Sequence, residues 1–318
     1  MKWFLYLLLS PIIVFSQTNF DLAAQYYKDG DIVKSIPLFE QYLKEYPTDA
    51  ITLEYLGDIA GNAKDWDAAL EYYELLVAQD NTNANYHFKY GGVLAMKALT
   101  VNRISAVFYI NDVKEYFDTA ARLDPRHIEV RKAMVELYMQ LPIIIGGSEA
   151  KSLFYANELA QISPVEGFLA KGYIAGYNDK NIAAENFYKQ AVAQGGTLLV
   201  YDKLITFYKN TNQPRKALEA LKNNLALHPY KNLLNYQIGA IVAGANLEPQ
   251  LGIDSLKKYL DQYSVEDGMS KQWAYLRLAQ IHKNKGNKSM ALSCIEEALI
   301  IAPVFKEARK EKRIIQAL

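Results

Sequence analysis

Four histidines, one cysteine and one glycine-rich turn are the residues of this chain with the means for metal, nucleophilic or phosphate chemistry. A metal site built on helices wants ligands three or four residues apart on one face. His87, His127, His228 and His282 are at least 40 residues from one another, so no such spacing occurs. Cys294 is alone and lies beside Ile295 on an apolar helix face, where a thiol is buried and inert. Glu296 and Glu297 are adjacent on the same helix and face different ways. No nucleophile elbow occurs for serine chemistry. The stretch IIIGGSEAK, residues 143 to 151, sets Gly146, Gly147 and Ser148 ahead of Lys151. A phosphate loop needs a glycine, four residues, then Gly-Lys and a hydroxyl after a strand, and neither that spacing nor a strand is present. The stretch reads as a turn: Pro142 ends a helix, the glycines permit positive φ, and Ser148 caps a helix through Lys151 to Ala160. A nest of backbone amides in that turn is its remaining route to an anion. The expectation is no catalytic residue, no metal and no cofactor.

The elements that would position any site come from the composition and period of the chain. Its 318 residues are 51% apolar, enough for a large core. Thirty-five basic and thirty-five acidic side chains cancel, so there is no global field to recruit nucleic acid or an anionic membrane surface. Twenty-four tyrosines and only ten prolines suit a long helical array with aromatic packing. The N-terminus has Lys2, an apolar run from Trp3 to Phe15, and small or apolar Val14 and Ser16 before Gln17. That pattern predicts a secretory signal peptide over residues 1–16, cut after Ser16, and a periplasmic or secreted product. The run is shorter than the roughly 20 residues that span a bilayer and contains Pro11; no later apolar segment of spanning length follows. The position of Cys294 rules out a lipid-modified cysteine at the cleavage site.

A repeat dominates the chain beyond the leader. Ser35 and Ala69, Phe39 and Tyr73, and Tyr42 and Leu76 are each 34 apart, as are Ala23, Gly57 and Gly91. Two short antiparallel helices cross closely where small residues such as Gly57 and Ala69 meet, and aromatics fill the gap to the next pair. With Leu53, Leu56, Gly57, Ala69, Tyr73 and Leu76 in their places, the second unit resembles the tetratricopeptide repeat. The resemblance implies an all-α, right-handed α-solenoid of about eight helical hairpins over residues 17–318, starting near 17, 50, 84, 128, 165, 198, 232 and 272. Pro125, Pro164, Pro229 and Pro303 close apolar helices between units, and KEARKEKRIIQAL, about 306–318, fits a capping helix. Its cations read as a solvated face or a docking patch for an acidic partner. Pro37 inside the second helix is expected to start that helix late or kink it. Units over about 84–164 are irregular: the third is ten residues longer than the period, an extension expected to lengthen both of its helices.

In proteins with such repeats the first helices of successive pairs line a concave groove for an extended peptide or a partner's helix. Carried onto this chain, the partner-binding candidates are Phe88, Lys132, Glu136, Tyr173, Tyr177, Asp202, Thr206 and Tyr236, with Phe20, Tyr27, Glu54, Asp58, Leu169 and Gln280 also facing inward. The carboxylate clamp of some relatives needs lysines and asparagines where this chain has Phe20, Ala24, Glu54 and Asp58, so that mode is rejected. The expected function is a non-enzymatic scaffold for a protein or peptide partner in the cell envelope, with specificity concentrated in the irregular units and in the turn at Gly146, Gly147 and Ser148. The alternative is a glycan or small-molecule binder using the aromatic groove.

Overall fold

The computed structural model describes residues 10–318, with side-chain surroundings from Asn19 onward; the leader reading for residues 1–16 rests on side chains outside the described residues. Among the described residues there are seventeen α-helices and no strand. In chain order they are α1 (Ser10–Lys28), α2 (Ile32–Glu45), α3 (Ala50–Asn62), α4 (Trp66–Gln79), α5 (Ala84–Ala98), α6 (Arg103–Leu123), α7 (Ile128–Gln140) and α8 (Glu149–Ile162). Then follow α9 (Pro164–Tyr177), α10 (Asn181–Gln194), α11 (Leu198–Asn210), α12 (Pro214–Leu227), α13 (Leu233–Ala245), α14 (Pro249–Asp261), α15 (Lys271–Asn284), α16 (Lys288–Ile301) and α17 (Lys306–Gln316). Each odd helix from α1 to α15 packs on its successor, giving the eight expected hairpins, and α17 covers α16 and α15 as the expected cap. The helices sort into two compact units, one through Ile162 and one from Ser163 to Leu318.

The repeat has a backbone signature. In five hairpins the residue two before the start of the second helix is left-handed: Gly30, Lys64, Asp179, Asn212 and Gly286 all have φ between 53° and 78°. The next amide then reaches back five residues, Asp31 to the Tyr26 carbonyl, Asp65 to Ala60, Lys180 to Ala175, Gln213 to Tyr208 and Asn287 to His282. That closure satisfies carbonyls the ending helix leaves open and sets the reversal angle. The second helix starts at once, capped in three of the five by Asp31, Asp65 or Asn287.

Side chains then set how closely each hairpin closes. At Gly57 an added Cβ would lie 2.9 Å from the Tyr73 ring, at Gly91 2.9 Å from Phe117, at Gly172 2.8 Å from Tyr188, and at Gly239 2.2 Å from Leu256. The small residue on the first helix thus seats the large one on the second. In the first unit apolar clusters form around Phe39 and Leu56, around Leu53 and Tyr73, and around Phe117 and Met134; in the second a larger core runs from Ala175 to Ile315. Cys294 is buried in that core, and burial pushes its thiol pKa up, which fits an inert role.

The expected late start of α2 needs correcting, and the expected lengthening of the third unit is met. Helix α2 starts at Ile32 with Asp31 as cap, so Pro37 does not delay it; the amide Pro37 lacks would have met the carbonyl of exposed Val33, a group water can satisfy. The extension of the third unit lengthens both of its helices, as expected, but unequally. Helix α5 has 15 residues against 13 in α3, whereas α6 has 21 against 14 in α4. The added turns at the start of α6 leave Ile104 and Phe108 exposed, because the hairpin partner α5 ends at Ala98.

Candidate functional site

On the first helices of the N-terminal unit, the candidate groove acids turn out to be partners of one lysine. Glu54 and Asp58 sit one turn apart on α3, and Lys89 reaches them from α5: its Nζ is 2.7 Å from Glu54 and 2.8 Å from each Asp58 oxygen. The Tyr73 hydroxyl on α4 donates to Asp58 at 2.5 Å, and the Asn85 amide donates to Glu54 at 3.2 Å. Burial opposes the charge on Lys89, but the bonds to Asp58 and Glu54 outweigh it and the pKa is raised. Burial and the neighbouring Asp58 carboxylate push the Tyr73 phenol far above its ordinary range. The cluster is an internally satisfied brace across α3, α4 and α5, and its groups are spoken for.

The candidate aromatics divide the same way. Phe20 packs against Phe39, Tyr42 and Tyr55, and Tyr27 against Tyr55. Phe88 is half-buried with its ring 5.1 Å from His127 and 5.9 Å from Phe117. Tyr236 is only 6% exposed and stacks at 5.5 Å on Tyr259, so it is a core residue and not a contact residue. Lys132, Leu169 and Gln280 are half-buried, the last accepting from Arg277. Glu136 on α7 is exposed. In the C-terminal unit Tyr177, Asp202 and Thr206 are exposed on α9 and α11, two first helices in contact, and Tyr173 lies half-buried with its ring 6.1 Å from that of Tyr177. Tyr177, Asp202 and Thr206 are thus exposed candidates on the first helices of two adjacent hairpins.

The glycine turn is closed to anions. Ile145 N donates to the Pro142 carbonyl, Gly146 N to Ile143, Gly147 N to Pro142 and Ser148 N to Tyr138, so four successive amides are occupied. Gly146 has φ +94°, as expected; Gly147 is glycine for another reason, since an added Cβ would meet the Leu141 carbonyl oxygen at 1.8 Å. Ser148 Oγ accepts from Lys151 N at 3.2 Å, the expected cap. Lys114 from the lengthened α6 donates to the Ile145 carbonyl at 2.6 Å, and burial together with nearby Lys151 lowers its pKa.

The histidines serve the scaffold: His127 caps α7 by accepting from Val130 N, His87 meets the Asn81 carbonyl at 2.9 Å and His228 meets Gly196 at 3.1 Å. His282 titrates below its ordinary value through burial. No group of histidine, cysteine and acid side chains suited to a metal ion occurs among the described residues. An open cleft of about 500 Å³ lies between the turns that precede α5 and α7, lined by Asn83, Asn85, Asp124, Arg126, His127 and Glu129. Asn83 and His127 cap the two helix starts that border it.

Sequence reasoning missed the residues that join neighbouring hairpins within a unit. Glu185 on α10 receives Tyr208 of α11 at 3.1 Å, Lys216 of α12 at 2.6 Å and Lys189 at 2.8 Å. Desolvation raises its pKa, but the hydrogen bonds from Lys189, Lys216 and Tyr208 prevail and bring it to about 2. A depressed carboxylate stabilises the fold above its unfolded pKa and loses that contribution as pH falls toward the folded value. Glu185→Gln should therefore lower stability by about 2 kcal/mol at neutral pH and by progressively less as pH falls through the folded pKa, a convergence that urea titrations across this window would read.

A family profile described as tetratricopeptide repeat matches residues 274–305, which cover most of α15, the turn and α16. No curated protein matches the chain. Among solved structures it is similar to a tetratricopeptide repeat protein from Parabacteroides merdae ATCC 43184, at 10% identity over 95% of this chain and 98% of that one, with a TM-score of 0.48. It is also similar to a thermophilic tetratricopeptide repeat protein of Thermus thermophilus, TTC0263, at 19% identity over 71% of this chain and 98% of that one, with a TM-score of 0.43. A third, YrrB, described as having an unusual peptide-binding site, is 15% identical over 77% of this chain and 100% of that one, with a TM-score of 0.40. Eight consecutive helical hairpins and the profile match at α15 and α16 make this chain an all-α helical repeat protein that carries a tetratricopeptide repeat near its C-terminal end.

Proposed function

We propose that the chain is an exported, non-enzymatic scaffold whose helical repeats over residues 17–318 bind a protein or peptide segment. The observation that carries this reading is the open face of α9 and α11, where Tyr177, Asp202 and Thr206 remain exposed while the other candidate aromatics are absorbed by packing. Tyr177 is 51% exposed and rests against half-buried Tyr173, so it offers a large ring at low entropic cost. Asp202 and Thr206, one turn apart on α11, supply an exposed acceptor and hydroxyl on the first helix of the next hairpin. Export rests on the leader sequence, and the expected compartment is the periplasm or the exterior.

The test is capture from the cell envelope on the tagged chain lacking residues 1–16, beside a Tyr177→Ala, Asp202→Ala variant. Both positions are exposed, so the variant should melt as wild type does. A stoichiometric protein retained by wild type and weakened about tenfold or more in the variant supports the reading. Equal retention by both moves the contact elsewhere, and oligosaccharide binding that quenches tyrosine fluorescence without any captured protein supports a glycan ligand instead.

A further inference from the structure

The zero net charge conceals a segregation. Residues 283–313 hold eight lysines and arginines against four glutamates, a local excess of four, which leaves the rest of the chain correspondingly acidic. Part of that excess is neutralised within the fold: Lys283 pairs with Glu311 and Lys312 with Glu296, each at 2.6 Å. Lys288 is held by the Gln316 carbonyl at 2.8 Å, and Arg309 by the Pro303 carbonyl. Helix α17 turns Ala308, Glu311 and Ile315 to the core, which leaves Lys306, Lys310 and Arg313 on its outer face, exposed and in no ion pair among the described residues. Those three recur at helical spacing along one stripe.

Beside the start of that stripe the turn from α16 to α17 exposes aliphatic side chains. Ile300 is 71% and Val304 77% exposed, with Ile301 between them at 45%. Arg309, tied to Pro303, lies against the same turn. The outer face of a single capping helix is convex and has no pocket to take an anchoring side chain of a folded partner. A bilayer surface is deformable, accepts protruding aliphatics at the headgroup boundary and attracts cations through anionic lipid.

We infer that the face formed by Lys306, Lys310 and Arg313 with Ile300 and Val304 docks on an anionic membrane surface. The contact is peripheral, for no helix among the described residues is long and apolar enough to cross a membrane. It is separate from the open face of α9 and α11 and does not depend on what binds there.

Co-sedimentation of the full chain with vesicles tests this, using phosphatidylcholine alone against phosphatidylcholine in which roughly one lipid in three is phosphatidylglycerol. Binding is expected only to the anionic vesicles and should be lost in about 0.5 M salt. A Lys306→Gln, Lys310→Gln, Arg313→Gln variant should bind about 100-fold more weakly, at roughly fivefold per cation near such a surface. An Ile300→Ser, Val304→Ser variant should bind about tenfold more weakly. All five positions are solvent-facing, so matched helicity and melting confirm folded variants. Equal binding to both vesicle types, binding to neither, or wild-type binding by the triple variant overturns the inference. So does capture by polyglutamate without vesicle binding, which assigns the face to an acidic protein segment.

Discussion

Replacing Gly147 by alanine should destabilise the N-terminal unit by about 3 to 4 kcal/mol, more than a surface turn ordinarily costs. The added Cβ would stand 1.8 Å from the Leu141 carbonyl oxygen and 2.7 Å from its carbon, and backbone atoms cannot swing aside as a side chain does. The turn from Leu141 to Ser148 must open. Opening it endangers Gly147 N to Pro142 O at 3.0 Å, Ser148 N to Tyr138 O at 2.8 Å and Lys114 Nζ to Ile145 O at 2.6 Å, each worth about 1 kcal/mol or more. Gly146→Ala is the control. Its φ of +94° is strained for alanine, but the nearest obstacle is the flexible tip of Lys114, so it should cost about 1 to 2 kcal/mol. Urea unfolding of both variants reads the order. A Gly147→Ala midpoint equal to wild type would show that the carbonyl wall yields, and a larger loss at Gly146 would make left-handed φ the governing requirement.

The same turn explains what the irregular third and fourth units accomplish. Regular hairpins close through a left-handed residue and a five-residue reach-back; the α7–α8 hairpin instead inserts a 3-10 turn over Ile143–Ile145. The ammonium that seals it comes from α6, the helix that carries most of the extension. Extension and turn are thus one structural feature. Gly146 and Gly147 act through the seating of α8, and any loss of partner binding on their substitution is expected to follow loss of stability, reversing the sequence-based expectation.

The architecture was readable because its signals are periodic. Small residues at Gly57 and Gly91 are 34 apart, and packing at a helix crossing enforces that spacing wherever the hairpin recurs. Which tyrosine is core was not readable. Tyr177 and Tyr236 both lie on first helices, yet one is exposed and the other buried, since burial depends on what the next hairpin brings against that face. The ionic braces were missed for a related reason: each joins elements of neighbouring hairpins. A signal for them did exist. Asp58 with Lys89, and Glu185 with Lys216, are both 31 residues apart. That is one period less about one helical turn, the offset at which charges on equivalent helices of adjacent hairpins come within reach.

Arg131 tests whether such joints carry stability, and Arg131→Met should cost the N-terminal unit about 3 kcal/mol or more. Its guanidinium is buried, its side chain 5% exposed, and it serves three segments at once. Nε donates to Glu158 on α8 at 3.0 Å; Nη1 donates to the Asp124 and His127 carbonyls at 3.3 and 3.0 Å; Nη2 donates to Ala121 at 3.4 Å. Ala121 lies in the last turn of α6, where a finishing helix leaves its carbonyl without a partner, whereas the Asp124 carbonyl also accepts from His127 N at 3.1 Å. Methionine fills much of the volume but donates nothing, which takes this donor from the Ala121 carbonyl and from the part-exposed Glu158 carboxylate. Because Asp124 and His127 line the cleft ahead of α7, the same substitution should loosen that wall, read as faster amide exchange at Ile128 and Glu129. Arg131→Met with Glu158→Met separates the terms: recovery of about 1 kcal/mol or more assigns that part to the stranded carboxylate, and the remainder to the carbonyls. A single variant within about 0.5 kcal/mol of wild type would mean that water replaces the guanidinium without penalty, and the joint between α6, α7 and α8 would then rest on apolar packing around Met134 and on the bonds of Lys114, Ser152 and Tyr155.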